Sequence, residues 1–404
     1  MVPEGWTVNY LSDLSLKISD GIHTTPKYVD QSDIYFINGN NLKSGTIEIG
    51  NTTKNVSLDE LEKHRKDLSD RTILMSINGT IGNLAYYKGE KVVLGKSAAY
   101  ININNETNKN FIYHALSSEE IQNYFISELT GSTIRNLSLK SIKSTRIKTP
   151  PLPEQTKIAQ ILSTWDKAIA TTERLLANSQ QQKQALLGPL LSGQKRFAGY
   201  PEWVSTPIAK LLTESRLPGS NGEVAKKITV KLYGNGVFAK DEKRIGSEST
   251  KYFTRKAGQF IYSKLDFLNG AFGIIPEHLD GYESTLDLPA FDFTEYVEPA
   301  WLVQYISREE FYSAQLGLAN GGRKARRVNP ADLLRIEIPL PSLPEQQKIA
   351  QVLSTADAEI SNLQAQLAKL KLEKKALMQQ LLTGQRRVRL DDELEEEPQI
   401  RRAG

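Results

Sequence analysis

The feature that most constrains this chain is a long internal repeat. LPEQTKIAQILST at 152–164 returns as LPEQQKIAQVLST at 343–355, identical at 11 of 13 positions. The offset of 191 runs without a gap through LLSGQKR at 190–196 and LLTGQRR at 381–387. Upstream, RIKTP at 146–150 parallels RIEIP at 335–339, which implies a two-residue insertion before the second LPEQ. The starts correspond too, PEGW at 3–6 with PEW at 201–203. The chain reads as variable block, shared block, variable block, shared block. A period near 190 residues is too long for a solenoid and describes a duplicated domain.

Both shared blocks carry a heptad. The first has Ile158, Leu162, Trp165, Ile169, Thr172, Leu176, Ser179, Lys183, Leu186 and Leu190 at the a and d positions. The second has Ile349, Leu353, Ala356, Ile360, Leu363, Leu367, Leu370, Lys374, Leu377 and Leu381. Seven of the first ten and nine of the second ten are apolar, which makes this spacing a coiled-coil seam. Lys183 and Lys374 interrupt it at the same place; a seam lysine either fixes register or snorkels to solvent. Ser342 and Glu345 have the spacing of a capping box, with Pro344 in the first turn. Gly193 and Gly384 sit where a C-terminal glycine stop belongs. Pro189 is expected to kink the first helix or end it a turn early, breaking the symmetry there. Helices of about 39 residues are roughly 58 Å long, and two of them in one chain pack most simply antiparallel, a rod with one variable block near each end.

The variable blocks read as mixed α/β. DRTILMSINGTIGN at 70–83 and AGQFIYSKLDFLNGAFGII at 257–275 each give strand, Asn-Gly turn, strand. SSEEIQNYFISELT at 117–130 and VEPAWLVQYISREEFYSAQL at 297–316 read as amphipathic helices. Trp6 and Trp203 hold equivalent starts, as core anchors. The fold class is α+β: two α/β domains joined by two long antiparallel coiled-coil helices in an internal pseudo-twofold repeat. The domains run 1–150, 151–199 (central helix), 200–341, 342–390 (distal helix) and 391–404, a tail with six acidic residues in the seven from Asp391 to Glu397 and a disordered composition.

Catalytic signatures are missing. With no cysteine, disulfides, thiolate metal sites and cysteine nucleophiles are excluded. GEKVVLGKS at 89–97 has five residues between its glycines where a phosphate loop needs four, so strand and turn is the better reading. The four histidines (His23, His64, His114 and His278) lack metal-ligand spacing, and no metal site is expected. No Asn-Pro-Pro-Tyr or Asp-Pro-Pro-Tyr tetrapeptide is present for an amino-methyltransferase, nor a G-x-S-x-G elbow. The start has no signal-peptide pattern and no apolar run approaches 18 residues, so the expectation is a cytoplasmic chain without a membrane partner.

The net charge of +4 is mild, and the first variable block carries 17 basic against 16 acidic residues, so nucleic-acid contact has to come from local patches. GGRKARRVN at 321–329 concentrates Arg323, Lys324, Arg326 and Arg327 beside two glycines. At the same architectural position, GSTIRNLSLK at 131–140 offers Ser132, Thr133, Arg135 and Asn136. Guanidinium, hydroxyl and amide groups hold phosphates and read base edges, although a charge run is more often only a solvated face. Asn78 and Asn269, in the Asn-Gly turns, are further candidates that hairpin geometry alone also explains.

These residues resemble the specificity subunits of type I restriction–modification systems over the whole chain. The resemblance rests on L-P-E-Q-x-x-I-A, a long helix and [ST]-G-Q-[KR]-R, present twice, with GTIG at 79–82 and GQFIYSKLDFLNGAFGIIP at 258–276. It implies that each variable block is a target-recognition domain reading one half of an asymmetric, bipartite double-stranded DNA site. It implies that the helices set the spacer and carry two modification subunits, which use S-adenosylmethionine for N6-adenine methylation by base flipping. Two restriction subunits would add ATP-driven translocation and Mg²⁺-dependent cleavage, and this chain would be non-catalytic, with no cofactor of its own. Two other function classes stand beside it: a stand-alone two-headed DNA-binding regulator, and a fused restriction–methylation enzyme, which the missing tetrapeptide disfavours.

Overall fold

The computed structural model describes residues 2–131, 135–241, 247–318 and 327–390. The chain divides into two units, Met1–Arg174 with Ala365–Gly404, and Leu175–Gln364. The two long helices, Leu152–Ser192 and Leu343–Leu382, are each divided between them. Each unit therefore combines one variable block, the first half of the helix that follows it and the last half of the other helix.

In the first unit the main sheet is antiparallel, in the order Ser15–Asp20, Ala98–Ile103, Thr72–Ser76, Leu84–Tyr86. All residues of its two inner strands are buried, so both faces are covered. A second sheet orders Val92–Leu94, Tyr35–Ile37, Lys54–Val56 and Tyr28–Val29. The residues weighed as a phosphate loop thus include a buried strand, Val92–Leu94, paired in parallel with Tyr35–Ile37. Helices Lys109–Leu116 and Glu119–Ser127 start at Asn108 and Ser118, whose side chains accept from the first-turn amides. Their apolar faces join Trp6, Ile101, Ile158 and Leu162 in one core, which Leu381 and Leu382 of the second long helix complete.

The second unit repeats the main sheet as Leu212–Ser215, Ala290–Phe293, Phe260–Tyr262, Phe272–Ile274. Its core is aromatic, with Phe260, Tyr262, Phe272, Phe291 and Trp301 around Ile349 and Leu353, and Leu190 and Leu191 of the first long helix close it. The helix expected over 297–316 is two helices, Pro299–Ile306 and Glu309–Ala314. Arg308 between them is extended, with φ −68° and ψ 130°. The break turns the chain so that the Tyr305 and Phe311 rings meet at 5.4 Å, which one continuous helix would not bring about at that spacing.

The helix halves pair antiparallel inside each unit. In the first, Lys371 reaches Glu173 at 2.7 Å and Lys374 bonds Asp166; in the second, Lys183 reaches Asp357 at 2.5 Å and Ser179 donates to Glu359 at 3.1 Å. Residue numbers fall along one helix as they rise along the other. All twenty a and d positions named above are buried or half-buried, while most residues between them are exposed. Both seam lysines cross to an aspartate on the paired helix, at positions 166 and 357 that are themselves 191 apart.

Three local expectations are corrected. The first helix does not stop early: it runs through Pro189 to Ser192. Proline has no amide to donate to the Ala185 carbonyl, yet the helix continues: the Lys195 amide bonds the Pro189 carbonyl at 3.0 Å, and buried Leu190 and Leu191 hold the last turn in place. The capping box at Ser342 is not formed: its hydroxyl is buried with no partner among the described residues, and Glu345 is engaged elsewhere. The insertion before the second LPEQ is not there either. Strand Arg146–Thr149 pairs with Thr7–Tyr10, and Glu337–Leu340 pairs with Val204–Pro207, so position 146 matches 337 and the offset stays 191. A slip of two residues leaves every strand side chain on the same face, so pattern matching cannot see it.

Glu345 and its counterpart Glu154 form the joint that closes each unit. Glu154, 3% exposed, accepts from the Trp6 indole at 3.1 Å and takes a two-point grip from Arg387 at 2.7 and 2.8 Å. Glu345, fully buried, accepts from the Trp203 indole at 3.0 Å and from Arg196 at 3.3 and 3.2 Å. The next residue works alike: Gln155 accepts from the Asn108 amide, and Gln346 from the Glu298 amide. The motif L-P-E-Q is thus a structural fastener: it joins the start of a variable block, the N-terminus of one of that block's helices and the G-Q-[KR]-R end of the other long helix.

Candidate nucleic-acid interface

In the first unit the Asn78 turn and the 131–135 loop come together. Thr130 and Asn136 exchange backbone hydrogen bonds at 3.0 and 2.9 Å, which bring these two residues together. One residue on, the Leu137 amide donates to the Ile77 carbonyl at 2.9 Å, and Asn78 bridges Asn136. The Asn78 carboxamide oxygen is buried with no partner among the described residues. Arg135 is exposed and Asn136 half-buried, while Ser132 and Thr133 lie outside the described residues. Amide and guanidinium groups at Asn136 and Arg135, beside a junction held by backbone hydrogen bonds, suit a base-reading surface, because direct readout demands fixed donors and acceptors.

The second unit holds the same junction. The Val328 amide donates to the Lys264 carbonyl at 3.0 Å, and the Tyr262 hydroxyl to the Val328 carbonyl at 3.1 Å. Val328 is 191 residues from Leu137. Arg327, exposed, lies 3.6 Å from Asp287, and Arg323, Lys324 and Arg326 fall outside the described residues. Asn269 is exposed in the turn after Phe260–Tyr262, its amide 3.4 Å from Asp266. The first junction thus joins a turn candidate to a loop candidate that sequence order keeps more than fifty residues apart; in the second, Val328 meets Lys264, five residues before Asn269. No sequence signal marks the hairpin Ile228–Val230 with Val237–Ala239, whose tip rests on the Asn269–Gly270 turn. Its strands are three residues each, below the length at which alternation is readable.

The seam residues serve the frame. Ile158, Leu162, Ile349 and Leu353 are fully buried in the unit cores, and Trp165, Ile169, Leu176, Leu186, Ile360, Leu363, Leu367, Leu370 and Leu377 are half-buried along the pair. Beside the seam, His114 is 1% exposed; its Nε2 lies 3.2 Å from the Ser163 hydroxyl and its Nδ1 3.7 Å from Asp166. Burial pushes this imidazole down to about 4, with Asp166 opposing and Lys374 reinforcing the shift. Among the described residues no helix is long and apolar enough to cross a membrane, and no three His, Asp or Glu side chains gather as metal ligands.

One domain–helix unit built twice, each copy with the same backbone bond at Leu137 and Val328, defines the class: a protein of duplicated design with two like domains. A family model for the type I restriction–modification DNA specificity domain matches residues 3–178 and 304–372. The chain belongs to that family. The type I restriction enzyme MjaX specificity subunit of Methanocaldococcus jannaschii is 24% identical over 96% of this chain and 95% of its own length. The crystal structure of the type I restriction–modification S subunit from M. genitalium superposes with a TM-score of 0.59 at 16% identity, covering 93% of this chain and 96% of that one. A chain from a structural study of complex assembly and conformational transition of the type I system gives 0.53 at 15% identity, covering 95% and 98%. A specificity subunit is a non-catalytic subunit, and none of these likenesses supports a stand-alone regulator.

Proposed function

We propose that the two junctions read the two halves of an asymmetric, bipartite sequence in double-stranded DNA, one through the Asn78 turn and 131–136 loop, the other through the Asn269 turn and 321–327 loop. The carrying observation is that one backbone junction recurs with different side chains: Asn136 in the first unit stands where Arg327 stands in the second. A shared frame with unlike tips suits two unlike half-sites. The lysines and arginines there supply phosphate attraction, and the amides and guanidinium groups supply base discrimination.

The paired helices set the spacer between half-sites and carry two modification subunits, joined in the full complex by two restriction subunits. Those partners bind S-adenosylmethionine, ATP and Mg²⁺ and perform the chemistry in the cytoplasm; this chain supplies the address. The test is co-expression with the modification subunit encoded beside it, followed by single-molecule sequencing for N6-methyladenine on the host genome. A bipartite asymmetric motif that vanishes without this chain is the expected result. A soluble complex that adds no methylation, or methylates without sequence preference, overturns the reading.

A further inference from the structure

We propose that Tyr233 is a base-contacting residue of the second junction, its ring meeting the bases of target DNA; this rests on the DNA-reading function proposed above. Tyr233 stands at the tip of the hairpin Ile228–Val230 with Val237–Ala239, which the Lys231 amide closes onto the Gly236 carbonyl at 3.0 Å. Its φ of +58° is in the left-handed region, shared among the described non-glycine residues only by Ser44. For a bulky aromatic residue that conformation is costly, and it persists only where the surroundings impose it. Burial does not offset the cost, because Tyr233 is 73% exposed.

The surroundings that impose it are specific. The Tyr233 amide donates to the Asn269 carbonyl and the Gly234 amide to the Gly270 carbonyl, both at 2.8 Å. Gly270, at φ +71°, makes room: a Cβ there would lie 3.2 Å from Tyr233 Cα and 3.3 Å from its nitrogen. The tip is therefore docked on the turn already assigned to the junction, and the docking presents an aromatic ring to solvent instead of to the core.

The charge around it fits a nucleic acid. Residues 225–241 carry four lysines and one aspartate. Lys231 lies 4.1 Å from the ring of Phe238, itself 42% exposed, and Lys227 lies 5.5 Å from the ring of Tyr252. The Lys227–Tyr252 pair is itself buried and half-buried and braces the ribbon, while Lys231 beside the exposed rings of Tyr233 and Phe238 makes a surface that follows phosphates and stacks bases. A two-stranded ribbon of this kind also fits the DNA major groove.

The test uses the complex with the modification subunit and two duplexes, one bearing the mapped site and one with its second half-site scrambled, each at two salt concentrations. Tyr233→Gly and Tyr233→Phe are compared with Tyr296→Ala, an exposed tyrosine elsewhere in the same unit. Tyr233→Gly is expected to weaken cognate binding by roughly tenfold or more, to leave scrambled-duplex binding within about twofold, and not to lower the melting temperature, because glycine accepts the positive φ. Tyr233→Phe keeps the ring and is expected to bind like wild type, as is Tyr296→Ala. Wild-type discrimination by Tyr233→Gly sinks the proposal and leaves the DNA-reading function standing. Loss of the modification subunit from the Tyr233→Gly complex makes the tip a protein contact and also overturns it. A wild-type complex that fails to separate the two duplexes overturns the underlying function as well.

Discussion

Single residues carry the joints of this molecule, and their energetics are accessible to titration. Buried His114 is neutral in the fold, with its value near 4, whereas the unfolded chain titrates near 6.5. Below 6.5 the unfolded state takes up a proton that the folded state refuses. Stability of the first unit is therefore full above that pH and is lost as pH falls toward 4, by about 2 kcal/mol at pH 5. Urea unfolding of wild type and His114→Asn at pH 7.5 and 5.0 checks this; the expected result is a smaller acid loss in the variant, and equal losses refute it. Glu154→Ala leaves the Trp6 indole and Arg387 without their shared carboxylate. The expected cost is about 2–3 kcal/mol, low in the buried-pair range because Arg387 is half exposed. Denaturant unfolding followed by tryptophan fluorescence reads that loss. The sequence marks Glu154 and Glu345 as repeated residues but not as hydrogen-bond hubs, since their partners lie 148 and 142 residues away for the indoles, and 233 and 149 for the guanidinium groups.

At the scale of elements, legibility follows length. The long helices can be read because a heptad sustained through ten seam positions leaves no competing period. Their pairing is also readable in part, because Lys183 and Lys374 interrupt the seam at equivalent places and each finds an aspartate. Short elements are harder: the two-helix break at Arg308, the Ile228–Ala239 hairpin and the strand register at 337 depend on contacts made far along the chain. If the helix pair is the ruler for the proposed site, deleting 172–178 together with 363–369 removes one heptad from each helix and keeps the seam in phase. Seven residues rise about 10.5 Å, so the methylated motif is expected to lose roughly three base pairs of spacer. An unchanged spacer in the sequenced methylome, from a variant that still assembles, removes the ruler role.

At the scale of the whole molecule, the repeat announces two domains, but the division found is not the order of the blocks. Residues 365–404 belong with 1–174, because Leu381 and Leu382 complete the core around Trp6 and Arg387 grips Glu154. Composition offers no hint of this, as any leucine pair at a helix end looks alike. Truncation after Arg389 keeps these contacts and is expected to leave thermal unfolding unchanged, while truncation after Gln380 removes two buried leucines and is expected to cost about 4–6 kcal/mol in the first unit. The Trp6 environment in fluorescence-detected melts separates the outcomes; equal melts of both truncations would contradict the assignment. The same arrangement sets a schedule for biosynthesis. The second unit is one uninterrupted stretch and has all its parts once residue 364 has left the ribosome. The first unit, begun earlier, waits for the final turns of the second long helix. At 5–20 residues per second, the 208 residues from 174 to 382 (382 − 174) take roughly 10–40 s, during which the apolar surface reserved for Leu381 and Leu382 stays open to whatever in the cell can cover it.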